Sequence, residues 1–381
     1  MSRGLPFTHH PETGRTTDDS ADHGPTPRSE RIRRRIRRDP HPVRGKLMPH
    51  PVILSGLSGW LPPRTVGNSD VLAHLPEGLS EEWIVQRTGI RERRRVDPDM
   101  STSDMAVRAA APLVASTPGR IDAVVVATTT PDFPIPATAP IVAAELGLVE
   151  AAAWDVNSAC SGFITGLAAV TSMIAAGVFG RALLIGADAM STVVDRSDRN
   201  TAILFGDGAG AVLLEADSGA ESGSFGPFDL GSDGGNTKLV GIDAGGSRQR
   251  SRTGSCAADR DHYLHMAGPE LFTHAVRRMT ASSATAIKDA GWEPSDVDWL
   301  VAHQANARIL SAVADRLGVP EERCVVNVDL VGNTSAASIP LAMAHLHRSG
   351  RVRAGDRVLL TAFGAGLAWG STTLAWPDLP H

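Results

Sequence analysis

The sequence predicts an α/β fold in which one unit of alternating strands and helices occurs twice. Two observations support this fold class. Short segments of the first half recur in the second half at offsets of 171 to 176 residues. In both halves these segments read, in the same order, as apolar strands and as helices that end at glycine. Strands that alternate with helices predict a largely parallel sheet covered by helices, so we expect one such sheet in each half.

The repeat can be followed element by element. The matched segments are, in chain order, 122–127 with 298–303, 144–147 with 315–318, 155–156 with 327–328, and 181–186 with 357–362. Each half therefore reads strand, helix, strand, helix, strand. The helices predicted at 163–178 and 336–346 are apolar nearly all round, which requires cover on both sides. We expect them between the two sheets, in a five-layer α-β-α-β-α arrangement, and a buried helix explains 162–180 better than a membrane span does.

Composition and cysteine usage narrow the class of protein. The chain has 381 residues, of which 42% are hydrophobic and 21% charged, as in a globular protein with ample material for a core. It contains three cysteines, Cys160, Cys256 and Cys324, without CxxC spacing. This pattern suggests neither a disulfide framework nor a thiolate metal site, and it predicts a protein of the reducing cytoplasm.

Residues 1–47 differ from the rest of the chain. They hold 11 of the 37 Lys and Arg residues but only 6 of the 42 Asp and Glu residues, which leaves the remainder with 26 and 36 and a net charge of −10. A basic arm can bind nucleic acid or an anionic membrane, but the acidic body argues against a nucleic-acid enzyme, and no signal-peptide core follows. We expect 1–47 to be a disordered tail or to precede a true start at Met48, with the two halves at 48–220 and 221–381.

Three polar residues have settings that point to chemistry. Cys160 lies between a strand-like run and a long apolar helix, where the helix N-terminus favours a thiolate. A thiolate is a strong nucleophile for thioesters and other acyl carbons. His303 ends a predicted strand, and Asn333, offset by 173 residues from Cys160, precedes the equivalent helix. Strand C-termini and helix N-termini are where such sheets place their chemistry, so we expect the three residues to converge.

Other motifs give weaker signals. The segment 206–210 is glycine-rich, but no helix follows it, so it predicts a close-packed structural turn rather than a nucleotide loop. The histidine pairs 345/347 and 262/265 lack acidic or thiolate companions, so we predict no metal. Papain-like proteases also use Cys, His and Asn, but their sequence signature around the cysteine is absent here. Cys256 and Cys324 have no comparable setting, and we interpret both as structural.

The motifs together carry a resemblance to a family. They are Ser158-Ala159-Cys160, His303-Gln304-Ala305-Asn306, the segment 332–338 (GNTSAAS), and the segments 83–91, 204–210 and 363–370. Over about residues 50–377 the chain resembles β-ketoacyl-acyl-carrier-protein synthase III, which implies a thiolase-like fold. A degradative thiolase would need a second cysteine in the turn at 363–366, and chain-elongating synthases carry a histidine where this chain has Asn333.

The resemblance implies an acyltransferase. It loads a short acyl group from acyl-CoA onto Cys160 and condenses it with malonyl-acyl-carrier protein, releasing CO₂ and CoA, with no cofactor, metal, nucleic acid or membrane involved. His303 and Asn333 would donate hydrogen bonds to the malonyl thioester carbonyl. The backbone N–H groups of Cys160 and Ala365 would form the oxyanion hole. A secondary-metabolic relative that primes a polyketide, or acylates an alcohol or amine, shares the Cys160 acylation step and remains an alternative.

The resemblance also implies binding residues. Trp83, Arg87 and Arg199 match the positions that bind coenzyme A. The positions that contact the carrier protein are matched by Gln304, Ala305, Asn306, Ala307 and Arg308. Ile135 matches a residue that closes the acyl pocket across a homodimer interface and is phenylalanine in acetyl-preferring members. The sequence therefore favours a short branched starter over acetyl, unless the nearby Phe133 fills the gate instead.

Overall fold

Two central sheets, one from each half of the chain, organise the protein in the computed structural model. The model describes residues 51–217, 223–251 and 257–380. The basic segment 1–47, Met48 and Cys256 lie outside the described residues. The first half contains β1 (Val52–Trp60), β2 (Thr65–Gly67), α1 (Asn68–Leu72), α2 (Glu81–Thr88), β3 (Glu92–Arg94), α3 (Thr102–Ser116), β4 (Ala123–Ala127), α4 (Thr138–Glu145), β5 (Ala152–Val156), α5 (Gly162–Ala175), β6 (Arg181–Ala189) and β7 (Asp207–Ala216).

The second half repeats the order of the main elements. It contains β8 (Phe225–Ser232), β9 (Val240–Gly241), α6 (Ser247–Arg250), β10 (His265–Met266), α7 (Gly268–Asp289), β11 (Trp299–Ala302), α8 (Ala307–Leu317), α9 (Val328–Val331), α10 (Ser338–Arg348), β12 (Arg357–Gly364) and β13 (Ala368–Ala375). The unit β4-α4-β5-α5-β6-β7 of the first half thus has its counterpart in β11-α8, α10-β12 and β13. The equivalent helices α4 and α8 are each followed by a glycine with positive φ, Gly147 after α4 and Gly318 after α8.

The two large sheets share their strand arrangement. The first has the order β1-β7-β6-β4-β5, with β4 parallel to both β5 and β6. The second has the order β11-β12-β13-β8, with β11 parallel to β12. In each sheet the strand that follows the parallel ones returns antiparallel, β7 against β6 and β13 against β12. The sheets are therefore mixed, with a parallel centre, rather than parallel throughout.

The helices form the other three layers. Helices α3 and α4 pack their apolar side chains on the outer face of the first sheet, and α7 and α8 do the same on the second. Between the sheets lie α5 and α10, whose side chains contact residues of both. The five-layer α-β-α-β-α fold predicted from the repeat is confirmed. Within the described part of the chain no helix is long and apolar enough to cross a bilayer.

The second half departs from the prediction at its second strand. Instead of a full strand, residues 324–327 make a single parallel bridge, between Leu300 and Cys324. The side chain of Gln304 explains the difference. Its amide oxygen accepts hydrogen bonds from the backbone N–H groups of Asn327 (3.0 Å) and Val328 (3.3 Å), which are therefore unavailable to a sheet.

The structure also corrects the predicted equivalence of Cys160 with Asn333. Short 3-10 turns, Ala159–Ser161 and Ser335–Ala337, precede α5 and α10, and each begins at a non-glycine residue with positive φ, 46° at Ala159 and 52° at Ser335. Matching these turns gives an offset of 176, so the counterpart of Cys160 is Ala336. Asn333 still lies at the start of the equivalent helix, three residues before that position.

The glycine-rich segment 206–210 is the start of β7 rather than a turn. A Cβ on Gly208 would lie 2.9 Å from Leu341, and one on Gly210 would lie 2.7 Å from Pro340. The glycines therefore allow β7 to pack directly on α10. The segment is closely packed, as predicted, and the next described element after β7 is strand β8 rather than a helix that would bind a nucleotide phosphate.

Candidate active site

One pocket of about 640 Å³ brings together the three residues singled out for chemistry. Cys160, His303 and Asn333 all line it, although they come from a turn before α5, the end of β11 and a turn before α10. Of the described residues that line the pocket, none is acidic, whereas three are arginines, Arg87, Arg199 and Arg308. The site therefore favours an elongated, negatively charged ligand whose inner end reaches a thiol.

Cys160 does not rest as the thiolate that its position at a helix start predicted. Burial, the largest effect, raises the pKa of the Cys160 thiol to about 11. The hydroxyl of Ser335 lies 3.6 Å from the sulfur and acts in the opposite direction. The local turn does place the thiol at the N-terminal end of α5, but desolvation outweighs the helix terminus. This pKa favours the neutral thiol near pH 7, so the proton has to leave as the sulfur reacts.

His303 is buried and neutral. Burial lowers its pKa to about 4, so the imidazole carries no charge at neutral pH. Its Nδ1 lies 2.6 Å from the hydroxyl of Ser338, and the same hydroxyl oxygen accepts the backbone N–H of Gln304 (3.4 Å). With that oxygen accepting one hydrogen bond, the hydroxyl hydrogen is free to point at Nδ1. This arrangement favours the tautomer with hydrogen on Nε2, the form that can donate to a ligand carbonyl.

Asn333 is held on three sides. Its backbone N–H donates to Leu204 (2.9 Å) and its carbonyl accepts from Gly206 (3.1 Å), which ties it to the segment before β7. The side-chain oxygen accepts the backbone N–H of Ser335 at 2.9 Å. With the oxygen engaged in this way, the NH₂ group is the part of the amide that can donate to a ligand. His303 and Asn333 thus present two neutral donors to one pocket.

The turn after β12 lies against the backbone of Cys160. A Cβ on Gly364 would lie 2.7 Å from the Cys160 nitrogen and 3.0 Å from the nitrogen of Ser161. Only glycine allows this approach, and Gly364 and Ala365 both line the pocket. The geometry brings the predicted oxyanion residues Cys160 and Ala365 to the same end of the pocket.

The predicted coenzyme A residues lie in the outer part of the pocket lining. Trp83 and Arg87 are on α2, with the guanidinium of Arg87 4.7 Å from the centre of the Trp83 ring, and Arg199 is exposed on the segment before β7. Ser80 caps α2 by accepting the N–H of Trp83 (3.2 Å). A flat aromatic surface beside guanidinium groups suits a purine and phosphates.

The residues of the predicted carrier-protein segment 304–308 differ in their exposure. Gln304 is fully buried, with its amide hydrogens donated to the carbonyls of Ala302 (2.9 Å) and Val325 (3.0 Å), so its side chain faces the interior. Asn306 caps α8 through the N–H of Ile309 (3.0 Å). Arg308 is exposed and stacks over Phe272 at 5.7 Å, while Ala305 and Ala307 are half-buried beside it.

Ile135 does not line the pocket of its own chain. It is 89% exposed, on a loop in which Phe133 is 53% exposed. The loop is nevertheless well anchored. Asp132 accepts hydrogen bonds from the N–H (3.0 Å) and hydroxyl (2.6 Å) of Ser103, and Asp155 accepts the N–H of Thr138 (2.7 Å). Within one chain, therefore, the predicted gate is separate from the site.

Several residues of the site were missed from sequence. Ser335 and Ser338 contact the thiol and the imidazole, and both lie in the motif 332–338, where their spacing from Asn333 was the available signal. Cys324 is buried, and burial raises its pKa to about 11, as suits a structural thiol. Across the described residues, no three His, Cys, Asp or Glu side chains lie together as a metal site would require.

Comparison with known proteins points to one family. Models of that family match residues 154–234, described as 3-oxoacyl-[acyl-carrier-protein (ACP)] synthase III, and 287–376, described as its C-terminal part. A β-ketoacyl-acyl-carrier-protein synthase III of Streptomyces coelicolor is 49% identical over 330 residues, which is 85% of this chain and 97% of the relative. Another, from Pseudomonas aeruginosa, is 47% identical over 333 residues, 87% of this chain and 98% of the relative.

Solved structures agree with the sequence comparison. The crystal structure of 3-oxoacyl-(acyl carrier protein) synthase III from Pseudomonas aeruginosa superposes with a TM-score of 0.79 at 46% identity, covering 87% of this chain and all of that one. The priming β-ketosynthase of a polyketide biosynthetic pathway also has a TM-score of 0.79, at 33% identity, covering 88% of this chain and all of that one.

Proposed function

Because the chain belongs to the β-ketoacyl-acyl-carrier-protein synthase III family, we propose that it is an enzyme that starts acyl chains, with Cys160 as the residue that carries the starter. It transfers a short acyl group from acyl-CoA to Cys160 and joins it to malonyl-acyl-carrier protein, releasing CoA and CO₂. The observation that carries this proposal is the convergence of Cys160, His303 and Asn333 in one pocket, whose described lining residues include three arginines and no acidic residue.

The first step is acylation of the thiol. The Cys160 thiol loses its proton as the sulfur attacks the thioester carbonyl, and the departing CoA sulfur takes up a proton in exchange. The carbon–sulfur bond to Cys160 forms, the bond to coenzyme A breaks, and the proton leaves with the CoA thiol. The backbone N–H groups of Cys160 and Ala365 would stabilise the oxyanion, an effect worth on the order of 10²–10³ in rate per donor.

The second step is decarboxylative condensation. Loss of CO₂ from the malonyl group leaves an enolate, whose oxygen would accept hydrogen bonds from Nε2 of His303 and the NH₂ group of Asn333. The carbanion then attacks the acyl-Cys160 carbonyl, and the sulfur leaves. A neutral donor pair suits this step because neither group has to lose charge as the enolate forms.

Intact-mass measurement tests the acyl acceptor. Mixing the protein with a short acyl-CoA is expected to add one acyl group to the wild type and none to Cys160→Ser. Replacing His303 or Asn333 by Ala is expected to abolish CO₂ release from malonyl-carrier protein and to leave acyl-Cys160 formation detectable. A wild-type mass unchanged by every short acyl-CoA, or decarboxylation that survives both replacements, would contradict the proposal.

The binding residues are part of the same proposal. The pair Trp83 and Arg87, together with Arg199, would hold the nucleotide end of coenzyme A, and Arg308 with Ala305, Asn306 and Ala307 would meet an acidic carrier protein. The buried contacts of Gln304 support a structural role for that residue instead. The protein would act in the cytoplasm, in keeping with the unpaired thiols of Cys160 and Cys324.

We also propose a homodimer. Strand β5 lies at an edge of the first sheet, where its outer backbone groups can pair with another strand. The anchored loop with exposed Phe133 and Ile135 adds an apolar surface that a second copy would cover. In such a dimer Ile135 would reach the partner's acyl pocket and limit the size of the starter group.

A polyketide-priming role is the second candidate, because a priming β-ketosynthase is 33% identical over 88% of the chain. The two roles share acylation of Cys160 and differ in the carrier protein and the starter. Comparison of kcat/KM with fatty-acid and polyketide carrier proteins distinguishes them. Turnover with an alcohol or amine acceptor in the absence of malonyl-carrier protein would indicate a third, acyl-transferring role instead.

A further inference from the structure

Asp188 is a buried carboxylate with only hydrogen-bond donors around it. It lies near the end of β6 and is fully buried. One oxygen accepts hydrogen bonds from the hydroxyl groups of residues 128–130 and from the backbone N–H groups of Thr129 and Thr130, at 2.7 to 3.2 Å. The other accepts the backbone N–H of Ala336 at 2.9 Å. Among the ion pairs of the described residues, none includes Asp188.

The internal repeat identifies the equivalent of the Asp188–Ala336 contact in the other half of the chain. The offset of 176 residues pairs Asp188 with Gly364 and Ala336 with Cys160. At the end of β6, in the first half, the carboxylate of Asp188 accepts the N–H of Ala336. At the end of the equivalent strand β12, Gly364 lies against the nitrogen of Cys160, and a Cβ on this glycine would be 2.7 Å from that nitrogen. The N–H of Ala336 is therefore the counterpart of the proposed oxyanion donor, already occupied by an anion of the protein itself.

The hydrogen bond from Ala336 to Asp188 also holds two contacts of the neighbouring Ser335 in place. The preceding residue, Ser335, donates its N–H to the side-chain oxygen of Asn333 at 2.9 Å. Its hydroxyl lies 3.6 Å from the sulfur of Cys160. A shift of this turn would therefore move the amide of Asn333 and the polar neighbour of the thiol together.

The charge of Asp188 also acts on Cys160. After burial, the carboxylate is a further cause that raises the pKa of the thiol, against the effect of Ser335. Besides Cys160, the titratable or charged side chains among the described lining residues of the pocket are His303, which is neutral, and Arg87, Arg199 and Arg308. Asp188 is therefore the negative charge that opposes the thiolate at rest.

We propose that Asp188 is a positioning residue of the active site. Its carboxylate occupies the second-half counterpart of the oxyanion hole and holds the turn that carries Asn333 and Ser335. This inference rests on the proposed role of Cys160 as the acyl acceptor.

The test is Asp188→Asn, which removes the charge and keeps the size. We expect the pH midpoint of Cys160 alkylation by iodoacetamide, followed on the Cys160 peptide by mass spectrometry, to move to lower pH. The alkylation rate at pH 7.5 should rise roughly three- to tenfold. Condensation kcat should fall about tenfold or more, because an amide NH₂ facing the N–H of Ala336 displaces the turn, with KM for acyl-CoA within about twofold.

Thr129→Val is the matched control, since it removes one donor to Asp188 and leaves the charge. Its alkylation midpoint should equal that of the wild type. A folded Asp188→Asn protein with unchanged midpoint and unchanged kcat would overturn the inference. If that variant does not fold, Asp188→Glu decides, because it keeps the charge and moves the carboxylate: a lower condensation kcat supports the inference, and an unchanged kcat overturns it. Condensation by protein alkylated at Cys160 would refute the proposed function and leave the alkylation readout intact.

Discussion

At the scale of single residues, the absence of a side chain at Gly364 is as important as any functional group. We predict that Gly364→Ala slows acylation of Cys160 by about 10²-fold or more, because the new Cβ would lie 2.7 Å from the nitrogen that is proposed to stabilise the oxyanion. The rate of acyl-enzyme formation by mass spectrometry measures this. Gly234→Ala is the control, since a Cβ there meets nothing within 4 Å. Equal rates in both variants would remove Cys160 from the oxyanion hole.

The buried imidazole predicts a dependence of stability on pH. Burial lowers the pKa of His303 from 6.5 to about 4, so between these values the unfolded chain binds a proton that the folded protein does not. The free energy of unfolding therefore falls as the pH drops from about 6.5 to 4, by roughly 3 kcal/mol from this residue. Urea denaturation at pH 7 and pH 4 should show a smaller loss for His303→Asn than for the wild type. Equal losses would contradict a neutral, buried His303.

How far the sequence predicted the site depends on the kind of residue. Cys160, His303 and Asn333 were found because each follows or precedes a strong strand or helix pattern. The repeat then indicated which strand C-termini and helix N-termini lie together. The thiol was expected as a thiolate, and the structure shows the opposite, because sequence reveals a helix start but not the desolvation around it. Asp188 was missed since its partners, 128–130 and Ala336, lie 58 to 148 residues away in the chain. The pairing of Asp188 with Gly364 was the signal available.

At the scale of elements, Gln304 shows how a single side chain replaces a strand. We predict that Gln304→Ala lowers the free energy of unfolding by about 2–4 kcal/mol, because the N–H groups of Asn327 and Val328 and two carbonyls lose their partner in the interior. KM for the carrier protein should stay within about twofold. Thermal unfolding and carrier-protein titration measure the two effects.

The neighbouring Arg308 provides the opposite case within the same segment. It is exposed at the start of α8, so Arg308→Ala should leave stability nearly unchanged and raise KM for the acidic carrier protein, more at low salt than at high salt. A Gln304→Ala protein with wild-type stability and a raised KM would restore Gln304 to the carrier-protein surface. The sequence could not separate the two residues, because adjacent positions after a strand face different surroundings once the strand ends.

At the scale of the whole molecule, the repeat explains how one pocket receives Cys160 from the first half and His303 and Asn333 from the second. The two halves contribute the same elements, and the middle helices α5 and α10 bring their N-terminal turns to one pocket. The strand order and the five layers could be predicted because the apolar helices had to be covered on both faces. The single bridge in place of a strand at 324–327 could not be predicted, because the N–H of Asn327 donates to the side chain of Gln304 and not to a neighbouring strand.

The proposed acyl gate depends on the proposed dimer and gives the last prediction. Ile135 lies outside the pocket of its own chain, so its effect on the starter should act on the partner subunit. Ile135→Phe should shift kcat/KM from isobutyryl-CoA towards acetyl-CoA by a few-fold, because a larger ring shortens the acyl pocket, at about 0.8 kcal/mol per buried methylene lost.

Mixed dimers decide which chain supplies the gate. In a dimer of a Cys160→Ser subunit with an Ile135→Phe subunit, the single intact thiol belongs to the chain that carries phenylalanine. If the gate comes from the partner, that thiol faces the unaltered Ile135 and should keep the preference for isobutyryl-CoA. Acetyl-CoA preference in the mixed dimer would place the gate within one chain, and a protein that stays monomeric by sedimentation would remove the interface on which the gate depends.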